Sequence, residues 1–251
     1  MTKTAFITGA TSGIGKATAE AFANYGFNLV ICGRRLERLK NLQKALSAKV
    51  KVHILSFDVR NSNEVIHAIL SLPAEFKSID ILVNNAGNAV GFSPLQDGKI
   101  ADWDYMIDTN VKGLLYVSKA IISGMIERKA GHIVNISSIA GKEVYANGNV
   151  YCASKHAVDA ITKGMRLDLY KYGIKITSIN PGMVETEFSI VRFNGDEARA
   201  AKVYEGVEPL KAEDIADTIL FAVTRPAHVQ IADLTILAAA QGSASEVNRN
   251  I

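Results

Sequence analysis

The chain has 251 residues, 48% of them hydrophobic and 21% charged, a composition that excludes a disordered or low-complexity protein. Its 28 basic and 25 acidic side chains are scattered and give a net charge of +3, so no charged face favours nucleic acid or an anionic membrane as a partner. No apolar run reaches the ~18 residues of a membrane span, and no basic leader precedes an apolar stretch. We therefore expect a soluble, cytoplasmic protein.

Seven short apolar segments alternate with segments of helical period, which is the pattern of a parallel sheet covered by helices on both faces. The predicted strands span residues 4–8, 28–32, 50–56, 81–84, 132–137, 175–180 and 234–237. The predicted helices span residues 13–24, 36–46, 62–72, 101–128, 150–172 and 212–223. Nothing marks a boundary, so we predict one domain over residues 1–251.

Two stretches interrupt this alternation. Residues 185–209 form a polar, glycine-containing insertion, which in such folds often serves as a mobile lid over the ligand crevice. The tail after Leu237 is rich in Ala, Gly, Ser and Gln. We expect it either to be disordered or to dock on another subunit.

Cysteine and histidine give no sign of a metal site. Cys32 and Cys152 lie far apart in no CxxC or Cys/His cluster, and the five histidines show no ligand spacing. A GxSxG motif is also absent, which argues against a hydrolase. We predict no metal, and thiols that pack as small apolar residues.

A glycine-rich turn at residues 8–15 joins the first strand to the first helix. In this arrangement backbone N–H groups and the helix dipole can bind a pyrophosphate. Its GxxxGxG spacing departs from GxGxxG, so the loop taken alone could also be an ordinary tight turn. The predicted cofactor contacts here are Gly9, Thr11, Ser12, Gly13, Ile14 and Gly15.

The end of the second strand indicates which dinucleotide binds. An acidic residue about 20 positions after the turn would bind a free ribose hydroxyl, but this chain has Arg34 and Arg35 there. Guanidinium groups suit a 2′-phosphate, so we predict NADP as the cofactor. Asp58 and Val59 follow the third strand, where the carboxylate could accept a hydrogen bond from the adenine amino group or could cap a helix.

Tyr151 and Lys155 are four residues apart in a helical segment, which places both on one helix face. Tyrosine has an unperturbed pKa of about 10, and a nearby ammonium favours the phenolate. We therefore expect this pair to exchange a proton nearer neutral pH. A Tyr-x-x-x-Lys pair alone carries little weight, because the spacing is common on helix surfaces.

With further motifs at residues 84–87, Asn110, Ser138 and residues 180–182, the chain resembles the short-chain dehydrogenase/reductase family over residues 4 to 237. The resemblance implies a Rossmann-like, doubly wound α/β fold with a seven-stranded parallel sheet in the order 3-2-1-4-5-6-7. It implies a catalytic tetrad of Asn110, Ser138, Tyr151 and Lys155. It also implies cofactor contacts from Tyr151, Lys155, Asn85, Ala86, Gly87, Pro181, Gly182, Val184 and Thr186.

The family resemblance also implies a role for each member of the tetrad. Ser138 would donate a hydrogen bond to the substrate oxygen, and Tyr151 would exchange a proton with that oxygen. Lys155 would bias the tyrosine and bind the nicotinamide ribose. Asn110 would hold a water that links Lys155 to solvent.

A narrower resemblance, to NADP-dependent 3-hydroxy acid dehydrogenases and sulfoacetaldehyde reductases, rests on residues 72–76, 103–114 and 187–196. Their substrates are small anions such as serine, allo-threonine and 3-hydroxyisobutyrate. The predicted substrate contacts are Ser138, Tyr151, Arg192 for the anionic group, and Asn149. The family often forms homotetramers. Alternatives left open are a carbonyl or 3-oxoacyl thioester reductase and a non-catalytic NADP-binding regulator.

Overall fold

A computed structural model describes residues 2–249 as an α/β domain built on one seven-stranded parallel sheet. The strands are β1 (Thr4–Ile7), β2 (Asn28–Gly33), β3 (Val52–Ser56), β4 (Ile81–Asn84), β5 (Gly131–Ile136), β6 (Ile174–Pro181) and β9 (Asp233–Ile236), with a separate parallel pair of β7 (Val184–Glu185) and β8 (Leu210–Lys211). The large sheet has the order β3-β2-β1-β4-β5-β6-β9. This confirms the predicted fold class and strand order, with β9 as the predicted seventh strand.

The helices are α1 (Gly13–Tyr25), α2 (Leu36–Leu46), α3 (Ser62–Leu70), α4 (Ile100–Ile107), α5 (Leu114–Arg128), α6 (Asn149–Leu169), α7 (Phe188–Arg192), α8 (Glu197–Lys202) and α9 (Ala212–Val223). Alternate residues of the buried strand β1 serve two hydrophobic cores. Ile7 packs in the core that also contains Phe22 of α1, whereas Phe6 packs in the core that contains Val117 of α5. A sheet buried on both faces explains the unbroken apolar character of its strands.

The predicted helix over residues 101–128 is wrong in one respect. A π-helical segment, Asp108–Gly113, separates α4 from α5 and contains the buried Asn110. Such segments insert one extra residue into a helix and recur at functional sites. The predicted helix over residues 150–172 likewise ends at Leu169 and continues as a short 3-10 turn.

The insertion and the tail are both ordered against the rest of the chain. Residues 185–209 contain the short helices α7 and α8, between β7 and β8. Residues 238–249 of the tail pack on this same chain, so the expectation of disorder is wrong for them, and docking of the tail on another subunit stays a prediction. Gln241 accepts a hydrogen bond from the Met183 backbone N–H at 2.9 Å, and Arg249 donates one to the Glu205 carbonyl at 2.6 Å. Tail side chains therefore satisfy backbone groups of the insertion and of the strand end before it.

Within residues 2–249, no helix combines the length and apolar character needed to span a bilayer. The same part of the chain contains no cluster of three or more His, Cys, Asp or Glu side chains suited to a metal ion.

Candidate active site

The glycine-rich turn lies at the carboxyl end of β1 and forms one wall of the main cavity. Gly9 and Gly13 have φ values of 66° and 51°, in the left-handed region that favours glycine. A side chain at Gly15 would lie 2.5 Å from the Gly9 carbonyl oxygen, so Gly15 permits close packing of α1. Ser12 makes no side-chain cap and no acidic residue occupies the first turn of α1. This helix terminus therefore suits an anionic pyrophosphate.

The two arginines after β2 have different surroundings. Arg34 is exposed and donates a hydrogen bond to the Tyr105 hydroxyl at 2.6 Å. Arg35 donates to the hydroxyl groups of Thr11, at 2.7 Å, and Ser12, at 2.8 Å. It also pairs with Glu187 of the insertion at 2.9 Å. Two guanidinium groups thus lie at the end of β2, where a 2′-phosphate is expected.

Asp58 lies at the far end of the same cavity, with Val59 beside it. The Arg60 side chain pairs with the Asp58 carboxylate at 2.6 Å. Partial burial raises the pKa of Asp58, but the hydrogen bonds and charge of Arg60 outweigh that effect and lower it below its usual value. The carboxylate therefore stays ionised and able to accept a hydrogen bond.

Three members of the predicted tetrad line the cavity, which has a volume of about 800 Å³. Ser138 follows β5, and Tyr151 and Lys155 face the cavity from the first turns of α6. The Lys155 ammonium donates a hydrogen bond to the Ile136 carbonyl at 2.9 Å. The sequence of α6 thus brings the acid–base pair to the carboxyl end of the sheet.

The pKa of Tyr151 differs from the expectation. Burial raises it well above its ordinary value, and the Tyr145 hydroxyl adds to this rise, while a hydrogen bond with Ser138 and the charge of Arg192 act in the opposite direction. Burial also lowers the pKa of Lys155 to about 8. The Lys155 nitrogen lies 6.0 Å from the centre of the Tyr151 ring, and burial is the cause of its lowered pKa.

Asn110 is buried behind the cavity wall and does not line it. Its side-chain amide accepts a hydrogen bond from the Asn88 N–H and donates one to the Asn88 carbonyl, both at 2.8 Å. It also donates to Ser154 at 3.0 Å. The amide therefore holds the loop after β4 in place. A side chain at Gly87 in that loop would lie 3.3 Å from Asn110 and 3.5 Å from the Lys155 nitrogen.

Arg192, in α7, projects into the cavity beside the tetrad. Its guanidinium lies 4.7 Å from the ring centre of Phe92, 5.4 Å from that of Tyr145 and 5.6 Å from that of Tyr151. It donates a hydrogen bond to the Tyr145 hydroxyl at 3.0 Å, and its buried Nε has no partner. Among residues 2–249, no carboxylate pairs with Arg192, so its charge faces the cavity uncompensated.

Most predicted site residues line the same cavity, including the whole set Pro181, Gly182, Val184 and Thr186, and the loop residues Asn85, Ala86 and Gly87. Gly15 and Asn110 support the wall from behind. Asn149 is a correction: its side chain is exposed, accepts a hydrogen bond from the Val150 N–H at 2.7 Å, and lies outside this cavity. The turn before α6 instead presents Asn147.

Several lining residues were not found from the sequence. Phe92, Tyr145 and Phe193 form the aromatic surroundings of Arg192, and Gln241 enters from the tail. No spacing links these positions, because loops far apart in the chain bring them together. Only Phe193, in the insertion, and Gln241, in the tail, lay inside segments that the sequence had already singled out.

The cavity fits a dinucleotide phosphate. It extends from Arg34 and Asp58, past the glycine-rich turn, to Tyr151 and Lys155, and its donors match the charges of a pyrophosphate and a 2′-phosphate.

A model of the short chain dehydrogenase family matches residues 3–196. The chain therefore belongs to the short-chain dehydrogenase/reductase family, and it is an NADP-dependent oxidoreductase that acts on CH–OH groups. It is 44% identical to sulfoacetaldehyde reductase 2 of Chromohalobacter salexigens over 252 residues, with 100% of both chains covered. It is 43% identical to the NADP-dependent 3-hydroxy acid dehydrogenase YdfG of Escherichia coli K12, covering 95% of this chain and 96% of the relative.

A solved structure of similar sequence has the same fold as this chain. The closed form of serine dehydrogenase complexed with NADP+ superposes with a TM-score of 0.93 at 42% sequence identity, covering 96% of this chain and 97% of the other.

Proposed function

We propose that this protein oxidises small 3-hydroxy acids, such as serine, allo-threonine or 3-hydroxyisobutyrate, with NADP, and that Arg192 binds the substrate carboxylate. The observation that carries the proposal is the guanidinium of Arg192 inside the cavity, which pairs with no carboxylate among residues 2–249 and lies 5.6 Å from the ring centre of Tyr151. A planar, permanently charged group with a free Nε offers the paired donors that a carboxylate accepts. The names of the relatives support the same substrate class.

The proposed reaction assigns each tetrad residue a separate task. The substrate hydroxyl gives its proton to Tyr151, while Ser138 donates a hydrogen bond to the same oxygen and holds it near the phenol. NADP, held by the predicted cofactor contacts, would supply the hydride acceptor for the carbon that carries this oxygen. Lys155 favours the ionised form of Tyr151 by its charge and binds the cofactor ribose. Asn110 keeps the neighbouring loop in position, and holding the relay water stays a prediction for this residue.

We also propose that the insertion acts as a lid. It carries Thr186, a predicted cofactor contact, and Arg192, the proposed substrate contact, on one short segment. Closing this segment would bring the anion-binding group and the cofactor together and exclude water.

Reduction of sulfoacetaldehyde is a second candidate. A sulfonate is an anion that Arg192 could bind in the same way, and the full-length identity to a sulfoacetaldehyde reductase favours this reading.

A 3-oxoacyl thioester reductase fits less well, because a carrier protein would need cations outside the cavity and Arg192 points into it. A non-catalytic regulator is disfavoured by the complete tetrad. A homotetramer and a cytoplasmic location remain predictions for this chain.

The first experiment is a set of initial rates with NADP, and with NAD as the control, at mildly alkaline pH. The substrates are serine, allo-threonine, 3-hydroxyisobutyrate and a neutral secondary alcohol, with sulfoacetaldehyde and NADPH in the reverse direction. NADP-dependent oxidation confined to the hydroxy acids supports the proposal. Equal rates with the neutral alcohol refute anion recognition, and turnover of sulfoacetaldehyde alone selects the second candidate.

A further inference from the structure

The carboxylate of Glu187 joins the insertion to α2. It accepts hydrogen bonds from Arg35 at 2.9 Å and from Arg38 at 2.7 Å. Partial burial raises the pKa of Glu187, but these two arginines outweigh that effect and lower it below its usual value. Glu187 is therefore ionised near neutral pH, and the bridge is a complete network of one anion and two cations.

The bridge lies at the edge of the cavity where the two walls meet. A side chain at Gly13 of the glycine-rich turn would lie 3.3 Å from Thr186, the residue before Glu187. Arg35 also holds the same turn through hydrogen bonds to Thr11 and Ser12. The predicted pyrophosphate contacts on one wall and the predicted nicotinamide contacts on the other are thus tied together at this point.

We propose that Glu187, Arg35 and Arg38 form a strap that retains the dinucleotide, so that the rate of cofactor release depends on breaking this bridge. Glu187 and Arg38 act as positioning residues, because they hold the insertion against α2. The proposal rests on the predicted cofactor groove but not on the proposed substrate. Its test therefore contains no substrate, and its failure would leave the proposed substrate class untouched.

A competing interpretation is that Glu187 occupies the 2′-phosphate position and must leave when NADP binds. The geometry favours the strap. The exposed Arg34 lies 4.0 Å from its nearest carboxylate oxygen, on Asp58, and makes no hydrogen bond to it. Arg34 therefore stays available to a phosphate. Arg35 has five N–H donors, of which the contacts above use four. A phosphate can therefore join the cluster without displacing Glu187.

The experiment measures the binding of NADPH and NADH to Glu187→Gln, Arg38→Gln and the double variant. Cofactor fluorescence gives Kd, and stopped-flow displacement with excess NADP+ gives the dissociation rate of NADPH. Arg38 is a clean probe because, unlike Arg35 and Glu187, it does not line the cavity. Lys40→Gln is the matched control: Lys40 lies on the same helix but pairs with Glu37.

We expect each single variant to raise Kd for NADPH and NADH by the same factor, about threefold to tenfold, which is the range for a small network of exposed ion pairs. Most of the change should lie in the dissociation rate. The double variant should bind the cofactors no more weakly than Glu187→Gln, which already removes both ion pairs, and Lys40→Gln should match the wild type. If Glu187→Gln binds NADPH more tightly and NADH as before, the strap proposal is wrong, and Glu187 instead competes with the 2′-phosphate. Unchanged Kd values in both single variants would also overturn it.

Discussion

Replacing Arg192 by methionine tests how the substrate is recognised. Methionine keeps a long apolar side chain against Phe92 and Tyr145 but removes the charge and all guanidinium donors. If Arg192 binds the substrate anion, the variant leaves a carboxylate unpaired inside the cavity. The loss should therefore depend on the charge of the substrate and not on its reacting carbon.

The expected size of the effect follows from the contacts that disappear. A hydrogen bond to a charged group contributes about 1.5–3 kcal/mol, and a paired interaction with a carboxylate somewhat more. A loss of about 2–4 kcal/mol corresponds to a fall of roughly 30- to 1,000-fold in kcat/KM for serine. A neutral secondary alcohol should lose less than about threefold, since it never contacted the cation.

Steady-state NADPH formation with both substrates measures this difference. Arg192→Lys serves as the matched variant: it keeps the charge but not the planar pair of donors, so it should recover only part of the serine activity. NADPH binding and thermal unfolding of each variant show whether the fold and the cofactor site are intact. An equal loss for the acid and the neutral alcohol would refute the argument, because it would mean that Arg192 supports the lid and does not bind the anion.

Three further predictions address the cofactor, the proton and the core. Tyr151→Phe should lower turnover by at least about 100-fold and leave the Kd of NADPH within about twofold, since only the proton-exchanging hydroxyl is lost; retained turnover would contradict its role. Arg34→Glu should raise the Kd of NADPH about tenfold or more and that of NADH little, as measured by fluorescence titration. An equal rise in both Kd values would exclude a contact of Arg34 with the 2′-phosphate. Burial, with Lys175 and Lys3, lowers the pKa of His132 to about 3, so the unfolded chain binds more protons below about pH 6.5. In urea unfolding, the free energy of unfolding should fall by about 1 kcal/mol for each unit that the pH is lowered below about 6.5. His132→Gln should reduce this slope.

The sequence was most informative where local pattern determines structure. All seven strands of the large sheet were predicted to within about two residues, because fully buried strands read as uninterrupted apolar runs. The glycine-rich turn was located for a similar reason, since only glycine adopts the backbone of Gly9 and Gly13 without strain. Helical spacing placed Tyr151 and Lys155 on one helix face, but their predicted catalytic role depended on the other motifs of the family.

Contacts between distant segments could not be read in this way. The tail is composed of small and polar residues, yet Gln241 and Arg249 bind carbonyl and N–H groups that no sequence pattern reveals. The raised pKa of Tyr151 depends on its burial, which the Tyr-x-x-x-Lys spacing does not report. The bridge of Glu187 to α2 joins positions about 150 residues apart.

The π-helical segment also constrains how this chain can change. The wider turn of a π-helix absorbs one extra residue of chain, so deleting one residue from Asp108–Gly113 would let α4 and α5 run on as a single regular helix in nearly the same phase. The apolar side chains of α5, among them Val117 and Ile121, would then keep their places in the core, but the segment that carries Asn110 would tighten and draw its amide away from Asn88. Core packing alone would therefore tolerate a chain without the extra residue, and what the π-helical segment provides is the position of Asn110 against the loop after β4.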